Sequence, residues 1–194
     1  ELYYHPGSKK LFVGTFRKGI LVYGVSAGST LRNVAVNRIT PLKDRELLIA
    51  TGGRGVYRMD MDSLVPKPYI TAVYASHNGM NGDNINDIYV DGGDRIWLAN
   101  YPAGVTIRNN RYQSYEWFRH SPGNSRSLVN DQVHDVIEDS EGDLWFATSN
   151  GISLLQPAVG RWRSFLSRSD GIQDGGNHIF LTLCEVSPGV ICAG

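Results

Sequence analysis

The chain has 194 residues, and its 19 Lys and Arg balance 19 Asp and Glu, so its formal net charge at pH 7 is zero. This balance provides no global field that would attract nucleic acid or an anionic membrane, and neither is predicted as a partner. No apolar run approaches the roughly 18 residues of a membrane-spanning helix, so no direct membrane insertion is expected. The 22 Gly, 10 Tyr and 4 Trp are typical of a turn-dense β protein.

Short runs rich in β-branched and aromatic residues recur along the first half of the chain, separated by Gly- or Pro-containing turns. Such runs indicate β-strands. Strands are predicted around Tyr3 and over residues 11–15, 19–25, 33–39, 47–51 and 55–59. The segment Pro66-Lys67-Pro68 predicts a turn before a strand over residues 69–74.

The second half contains two predicted β-hairpins. Residues 133–152 read VHDVIEDSEGDLWFATSNGI, in which a polar turn with Gly separates two apolar runs. Residues 85–105 read INDIYVDGGDRIWLANYPAGV and have the same pattern. Further strands are predicted over residues 112–119, 161–166 and 179–186. No apolar stripe with helical spacing occurs, so the predicted fold class is all-β.

The two hairpins are copies of one unit, offset by 48 residues without a gap. Three weaker copies exist, and the five units are centred on Phe12, Leu48, Trp97, Trp145 and Ile191. Their spacings of 36, 49, 48 and 46 residues lie near the ~40–50 period of propeller blades. Residues 1–194 are therefore predicted to form about four blades of a β-propeller and the start of a fifth. The short first interval points to a tight loop or missing residues around 26–30.

Packing explains which positions repeat. The large anchor, such as Trp145, is expected to fill the space between neighbouring blades. The residue two places later lies on the same strand face and is small, which is expected where adjacent sheets approach closely. These small residues are Gly14, Ala50, Ala99, Ala147 and Ala193.

The two cysteines flank a predicted turn at residues 187–189, so a hairpin would place Cys184 opposite Cys192. A disulfide there needs Cα atoms roughly 4.4–6.8 Å apart. The favoured interpretation is two buried cysteines that act as small apolar residues, and the disulfide stays open. No Cys/His cluster has metal-binding spacing, and no cofactor is predicted.

Residues 118–151, which run from FRHSPGNSRSLVNDQV to the end of EDSEGDLWFATSNG, resemble the repeat of the two-component regulator propeller. Residues 51–56 (TGGRGV) and 169–172 (SDGI) fit the same pattern. The first and fifth units depart from it, because Phe12 and Ile191 replace Trp. The resemblance covers nearly the whole chain.

The resemblance implies a biological context. Such propellers form the periplasmic sensor region of hybrid histidine kinases in gut bacteria that degrade glycans. They usually come as two seven-bladed rings followed by an immunoglobulin-like domain, a membrane span and the kinase. The resemblance therefore implies that the four blades and the start of a fifth are part of a larger, seven-bladed propeller. The segment is therefore expected to be a non-enzymatic part of a larger periplasmic sensor that detects a glycan-derived ligand. The rest of the sensor kinase is an expected partner, and a homodimer is left open.

Two other functions are considered. A passive protein-interaction propeller would use the same fold without a small ligand. A glycan-cleaving propeller enzyme is disfavoured, because the Asp box Ser-x-Asp-x-Gly-x-x-Trp needs Asp–Gly and Asp–Trp spacings of two and five. Asp139 lies three residues before Gly142 and six before Trp145. These aspartates are expected to bind turn amides instead, and no catalytic or metal-binding residue is predicted.

Candidate ligand-binding residues are the unique aromatic and basic side chains of outer strands and loops. Planar aromatic rings beside Arg suit sugar rings and their carboxylate or sulfate groups. The candidates are Tyr115, Trp117, Arg119 and His120 in one group, Arg161 and Trp162 in a second, and His77 in the loop that corresponds to that of His120. Packing is the competing interpretation, because strand alternation directs Tyr115 and Trp117 to the face opposite Phe118.

Truncation of Trp97 or Trp145 to Ala is expected to lower the free energy of unfolding by about 3–5 kcal/mol if both fill the space between blades. Chemical denaturation would measure this loss. Unchanged stability would instead indicate tryptophans that serve only at the surface.

The 194-residue chain alone is expected to associate or precipitate, because both end blades would present apolar inter-blade faces and unpaired strand edges. Light scattering would test this against the complete sensor region. A monomeric 21.5 kDa species that melts cooperatively would contradict the expectation.

Overall fold

The structure is a computed structural model that describes residues 1–24, 28–43, 45–72, 79–166 and 178–194. Every regular element in these ranges is a β-strand, which confirms the predicted all-β class. No helix in the described ranges is long and apolar enough for a membrane span.

Sixteen strands form four sheets of four antiparallel strands, and each sheet takes its strands in chain order. Blade 1 contains β1 (Leu2–His5), β2 (Lys10–Gly14), β3 (Ile20–Tyr23) and β4 (Gly28–Thr30). Blade 2 contains β5 (Val36–Leu42), β6 (Glu46–Thr51), β7 (Val56–Asp60) and β8 (Pro66–Ile70). Blade 3 contains β9 (Ile85–Val90), β10 (Arg95–Asn100), β11 (Gly104–Asn109) and β12 (Ser114–Phe118). Blade 4 contains β13 (Val133–Glu138), β14 (Leu144–Thr148), β15 (Gly151–Gln156) and β16 (Arg161–Phe165).

A two-stranded hairpin of β17 (Leu183–Ser187) and β18 (Val190–Ala193) follows blade 4. The first strand of each blade contacts the first strand of the next, from β1 through β5, β9 and β13 to β17. The first strands are therefore innermost and the fourth strands outermost. This radial order is that of a β-propeller, and the predicted propeller fold is confirmed.

Apolar clusters fill the spaces between consecutive blades, as the repeat predicted. Phe12 packs with residues of blade 2, Leu48 with residues of blade 3, and Trp97 with residues of blade 4. Trp145 is half-buried and packs beside the cluster shared with the β17–β18 hairpin. At the small-residue position of blade 1, a Cβ added to Gly14 would lie 2.6 Å from Val36 Cγ1, so there is no room for a side chain.

The repeated turn aspartates bind turn amides and also the anchor tryptophan. Asp139 Oδ1 accepts hydrogen bonds from the backbone N–H groups of Glu141 (3.0 Å) and Asp143 (2.9 Å). Its Oδ2 accepts from Trp145 Nε1 at 2.7 Å. Asp91 makes the matching bond to Trp97 Nε1 at 2.9 Å. The Asp–Trp spacing of six residues therefore fixes the tryptophan against the turn, which explains why both residues recur together.

Each innermost strand of blades 2, 3 and 4 has a register shift that leaves one residue without a partner opposite: Asn37, Asn86 and His134. Asn37 Nδ2 donates to the carbonyl oxygen of Ile85 in the next blade at 2.8 Å. Asn86 Nδ2 donates to the carbonyl oxygen of Val133 at 2.9 Å. His134 is half-buried, and its Nε2 lies 2.8 Å from Ser149 Oγ.

A second set of inter-blade bonds comes from the repeated inner-strand aspartates. Asp87 Oδ2 accepts from the backbone N–H of Val136 in blade 4 at 3.0 Å. Asp135 Oδ2 accepts from the N–H of Leu183 in the hairpin at 2.7 Å. Both carboxyls are buried. Side-chain bonds of this kind satisfy backbone groups at the inner edge of each sheet, where no further strand pairs.

Asp87 lies between two charged groups on neighbouring inner strands. On β5, Arg38 Nε is 3.0 Å from Asp87 Oδ1, and Arg38 also lies 3.9 Å from the Glu1 carboxylate. On β13, Asp135 faces Asp87 and shares the Val136 amide. Burial raises the pKa of Asp87 to about 7, and a hydrogen bond with Asp135 adds to the rise.

The short first interval arises between blades. Five residues (31–35) connect blade 1 to blade 2, whereas fourteen residues connect blade 2 to blade 3 (71–84) and blade 3 to blade 4 (119–132). Residues 28–30, expected in a loop, form the short outer strand β4. The prediction of a turn at Pro66-Lys67-Pro68 is wrong, because these residues begin β8. An outermost strand tolerates proline, since one edge of it needs no N–H donor.

The register of the β17–β18 hairpin shows that Ile191 is not the residue equivalent to the anchor Trp145. Leu183 N binds Asp135 as Val136 N binds Asp87, so Leu183 and Val136 are equivalent. The residue paired with Cys184 is Cys192, which therefore takes the place of Trp145, one position after Ile191. A unit without Trp offered no marker for this register.

The two cysteines lie directly opposite each other, as a hairpin predicts, and both are free. The prediction that they are buried is wrong, because both are exposed. Leu183 and Ile191 pack towards blade 4, and strand alternation then directs the cysteines to the other face, which no other described strand covers.

Apolar side chains are exposed on blade 1 and on the hairpin. Leu2 and Tyr4 are 67% and 55% exposed, and Val186 and Val190 are 58% and 50% exposed. Faces of this kind favour association. The expected association of the chain stays a prediction.

The position of Asp87 predicts a pH dependence of stability. Between about pH 4 and pH 7, the folded protein holds a proton on Asp87 that the unfolded chain has lost. The stability contribution of this group is therefore complete below about pH 4 and is lost as the pH rises to about 7. Asp87→Asn removes the titration, so its melting temperature should fall less across this range.

Thermal melting at several pH values would measure the effect, with Asp62→Asn as a control, because the Asp62 side chain is 59% exposed. Parallel pH profiles for Asp87→Asn and the unsubstituted protein would contradict the prediction.

Candidate functional site

The predicted aromatic residues of β12 serve mainly in packing. Tyr115 is half-buried and packs against the cluster between blades 2 and 3. Trp117 is also half-buried, and its Nε1 donates to the carbonyl oxygen of Gly79 at 3.1 Å. On the opposite face, Phe118 stacks on Trp97 with ring centroids 6.1 Å apart. Both faces of this outer strand are thus occupied by the protein itself.

Arg119 and His120 close the loop between blades 3 and 4. Asp131 Oδ1 accepts from the backbone N–H of His120 at 2.6 Å, and its Oδ2 lies 3.3 Å from Arg119 Nη2. His120 Nδ1 lies 2.8 Å from the carbonyl oxygen of Leu128. The previous loop repeats this closure, because Asp83 Oδ1 accepts from the N–H of Ala72 at 2.6 Å. The aspartate at the end of each loop is a structural residue that sequence analysis missed, although its recurrence after 48 residues was a usable signal.

The second predicted group divides between core and surface. Trp162 is half-buried, stacks on Phe146 at 5.9 Å and meets the edge of Phe118 at 5.1 Å. Arg161 is exposed at the start of β16. His120 follows the end of the equivalent strand β12, so the two residues lie at opposite ends of neighbouring blades. The structure does not bring the predicted residues into one site, and His77 lies outside the described residues.

A hollow that sequence analysis missed lies on the outer part of blade 2. It has a volume of about 320 Å³, within the range of small-molecule sites. We call it the Tyr69 hollow. Strands β6, β7 and β8 and the turn between β7 and β8 supply its lining: Glu46, Arg58, Asp60, Ser63, Val65, Lys67, Pro68 and Tyr69.

Tyr69 is directed by an irregularity in β8. The pairing between β7 and β8 shifts between Val56 and Tyr57, which leaves Tyr69 without a residue opposite. Shifts of this type change the direction of a side chain. The Tyr69 hydroxyl donates to Asn110 Oδ1 of blade 3 at 3.3 Å. The guanidinium carbons of Arg58 and Arg108 lie 5.5 Å and 4.4 Å from its ring centroid.

The charges around the Tyr69 hollow are partly matched. Arg58 forms an ion pair with Glu46. Asp60 Oδ1 accepts from the backbone N–H of Ser63 at 2.8 Å, and hydrogen bonds with Ser63 lower the pKa of Asp60. Lys67 is exposed and forms no ion pair with any residue that the structure describes.

A larger, more open hollow adjoins Asn110 on blade 3 and has a volume of about 670 Å³. We call it the Tyr112 hollow, because the Tyr112 ring is 71% exposed at its wall. Asn109, Asn110 and Arg111 supply amide and guanidinium groups. Exposed aromatic, amide and guanidinium groups suit polar ligands that carry hydroxyl or anionic groups.

Neither hollow has the groups expected of a metal centre. Across the described ranges, no cluster of three or more His, Cys, Asp or Glu side chains is placed to hold a metal ion. The arrangement of both hollows suits the binding of a ligand.

Comparison with known proteins identifies the repeat. Residues 127–150 match the family described as two component regulator propeller. This match confirms the family resemblance in the most specific unit of the chain. No curated protein matches the chain in sequence.

The fold is similar to several solved propellers. The extracellular domain of the hybrid two component system BT3049 from B. thetaiotaomicron aligns over 100% of this chain and 25% of its own, with 18% identity and a TM-score of 0.74. The extracellular domain of BT4673 from the same organism, named as a one component system, aligns over 96% and 26%, with 18% identity and a TM-score of 0.69. YCF48 bound to D1 peptide aligns over 97% and 58%, with 11% identity and a TM-score of 0.62. The chain thus spans about a quarter of the two extracellular domains.

Asp131→Ala is expected to lower the free energy of unfolding by about 1–2 kcal/mol, because it leaves the His120 amide without its acceptor. Chemical denaturation would measure the loss. Glu141→Ala, at an exposed acid in a turn of blade 4, is the control and should leave stability unchanged. Equal stability of the two variants would show that the loop closure is unimportant.

Proposed function

From the two component regulator propeller repeat that this chain carries, we propose that it is part of the periplasmic sensing region of a hybrid two-component regulator. In this proposal the propeller detects a glycan-derived ligand and the signal passes to a cytoplasmic kinase elsewhere in the protein. The match over residues 127–150 is the observation that carries the proposal. The extracellular domains that share the fold support it.

The physical construction of the blades suits a sensing role. Side-chain hydrogen bonds connect the inner strands of neighbouring blades and form a rigid scaffold. The outer hollows and loops can vary on this scaffold without loss of the fold. Ligand binding at such a support would change the contacts of the propeller with neighbouring parts of the sensor, or with a second copy in a homodimer. The proposed segment itself performs no catalysis.

The proposed ligand contacts are the Tyr69 and Tyr112 hollows, because Tyr115, Trp117 and Trp162 are engaged in packing. Arg161 remains an exposed candidate on blade 4. Tyr112 offers the most accessible ring beside amide groups, so it is the residue whose removal should weaken a sugar contact most.

The experiment uses the complete sensor, with kinase phosphorylation as the output and a panel of oligosaccharides as ligands. A ligand that changes phosphorylation should act at least tenfold more weakly on Tyr112→Ala. Val159→Ala is the matched control, because Val159 is 68% exposed in the equivalent turn of blade 4. If no member of the panel alters either phosphorylation or melting temperature, a glycan-sensing role is overturned.

A passive protein-interaction propeller is the second candidate. The observation that favours it is the similar fold of YCF48, which was solved with a bound peptide. This alternative predicts that no glycan shifts the melting temperature, while a protein partner binds the purified propeller. A ligand-induced change in kinase output would rule it out.

A further inference from the structure

Arg108 on β11 is a buried cation that has no counter-ion among the described residues. Its side chain belongs to a residue that is 8% exposed. Nη2 donates to Gln113 Oε1 at 2.9 Å, whereas Nε and Nη1 are buried without a hydrogen-bond acceptor among the described residues. No carboxylate in the described part of the chain lies within ion-pair distance of it.

Other arginines at the inter-blade surfaces differ in this respect. Three of them have a carboxylate partner: Arg38 with Asp87, Arg58 with Glu46, and Arg95 with Asp91. Burial of a charge is unfavourable unless an opposite charge and hydrogen bonds compensate for it. The face of the Tyr69 ring, 4.4 Å from the guanidinium carbon, stabilises Arg108 only in part. An anion beside the Tyr69 ring would add electrostatic compensation at a distance.

The lining of the Tyr69 hollow contains two cations, Arg58 and Lys67, and two carboxylates, Glu46 and Asp60. Arg58 forms an ion pair with Glu46, and Asp60 accepts hydrogen bonds from the amides of its own turn. Lys67 has no ion-pair partner among the described residues, and the Arg108 guanidinium lies over the Tyr69 ring that forms one wall. Arg108 thus adds one positive charge beside a lining whose own charges balance, and within the described part of the chain Lys67 is the lining cation that no carboxylate engages.

We propose that the Tyr69 hollow binds an anionic group, which is a carboxylate, a sulfate or a phosphate. Lys67 contacts the anion directly, and Arg108 attracts it from behind the Tyr69 ring through its charge, since its free nitrogen atoms are inaccessible in this structure. The volume of about 320 Å³ accommodates such a group together with part of a larger ligand. The inference that such an anion is the ligand class of a sensor rests on the proposed function.

The test measures binding of sodium sulfate, phosphate and acetate at constant ionic strength by calorimetry and by the shift in melting temperature. Glucuronate and glucose form a second pair of probes. At least one of the three anions should bind with a millimolar or lower Kd. Glucuronate bound more tightly than acetate would identify an anion carried by a sugar, and equal binding would identify a free small anion.

Two variants and one control locate the site. Lys67→Gln should raise the Kd of the bound anion at least threefold. Arg108→Met should abolish the anion-induced shift while the anion-free protein melts at the same or a higher temperature, because an apolar chain replaces an uncompensated charge. Lys43→Gln is the control, since Lys43 is exposed and already paired with Asp94 at 2.6 Å, and it should bind as the unsubstituted protein does.

Three results would overturn the inference: no anion binds below about 100 mM, Lys67→Gln and Lys43→Gln bind alike, or Arg108→Met melts lower and keeps the full shift. The Lys67 comparison stands even if Arg108→Met fails to fold. Binding is measured without kinase output, so the two proposals can fail separately. The absence of anion binding would leave the sensing role intact, and an unchanged kinase output would leave the anion site intact.

Discussion

The structure depends on how the separate sheets form hydrogen bonds with the backbone groups at their inner edges. A strand at the edge of a sheet has unpaired N–H and C=O groups, and burial of such groups is unfavourable. In blades 2, 3 and 4, side chains of the first strand form hydrogen bonds with the backbone of the next blade or of the hairpin. Asn37 and Asn86 donate to carbonyl oxygens, while Asp87 and Asp135 accept from amides. Apolar packing alone would hold the sheets together without a defined register; these bonds define it.

The same arrangement explains which residues are free for function. Blades 2 and 3 each pack on two neighbours, so most of both sheet faces is covered, while single residues of the outer strands such as Lys67 and Glu116 are exposed. Tyr115 and Phe118 of β12 accordingly face two different clusters. Aromatic residues on the flanks of a blade therefore belong to the core, and ligand contacts must come from strand irregularities and turns. Tyr69, at a register shift, and Tyr112, in a turn, are the residues that meet this condition.

The repeat made the fold predictable, because a 48-residue period with Asp, Trp and Ala at fixed offsets requires equivalent packing in each unit. The binding surface was less predictable. Pattern alone could not distinguish a packed Trp162 from an exposed one, since the outer strands of blades 2, 3 and 4 all contain an aromatic residue. Arg108 had no visible signal, because its isolation depends on which carboxylates the fold brings near. The anchor of the fifth unit was placed one residue too early, because that unit lacks the tryptophan that marks the third and fourth.

The inner-strand bonds also make the blade a transferable unit. The first strand of blade 3 contains both groups of the junction: the carbonyl oxygen of Ile85 accepts from Asn37 of blade 2, and Asn86 donates to the carbonyl oxygen of Val133 in blade 4. Duplication of one 48-residue segment would then copy both the donor side chain and the acceptor carbonyl group of the junction. A chain built this way can lengthen or shorten by whole units without inventing a new junction, so blade number is free to change while the junction chemistry stays constant.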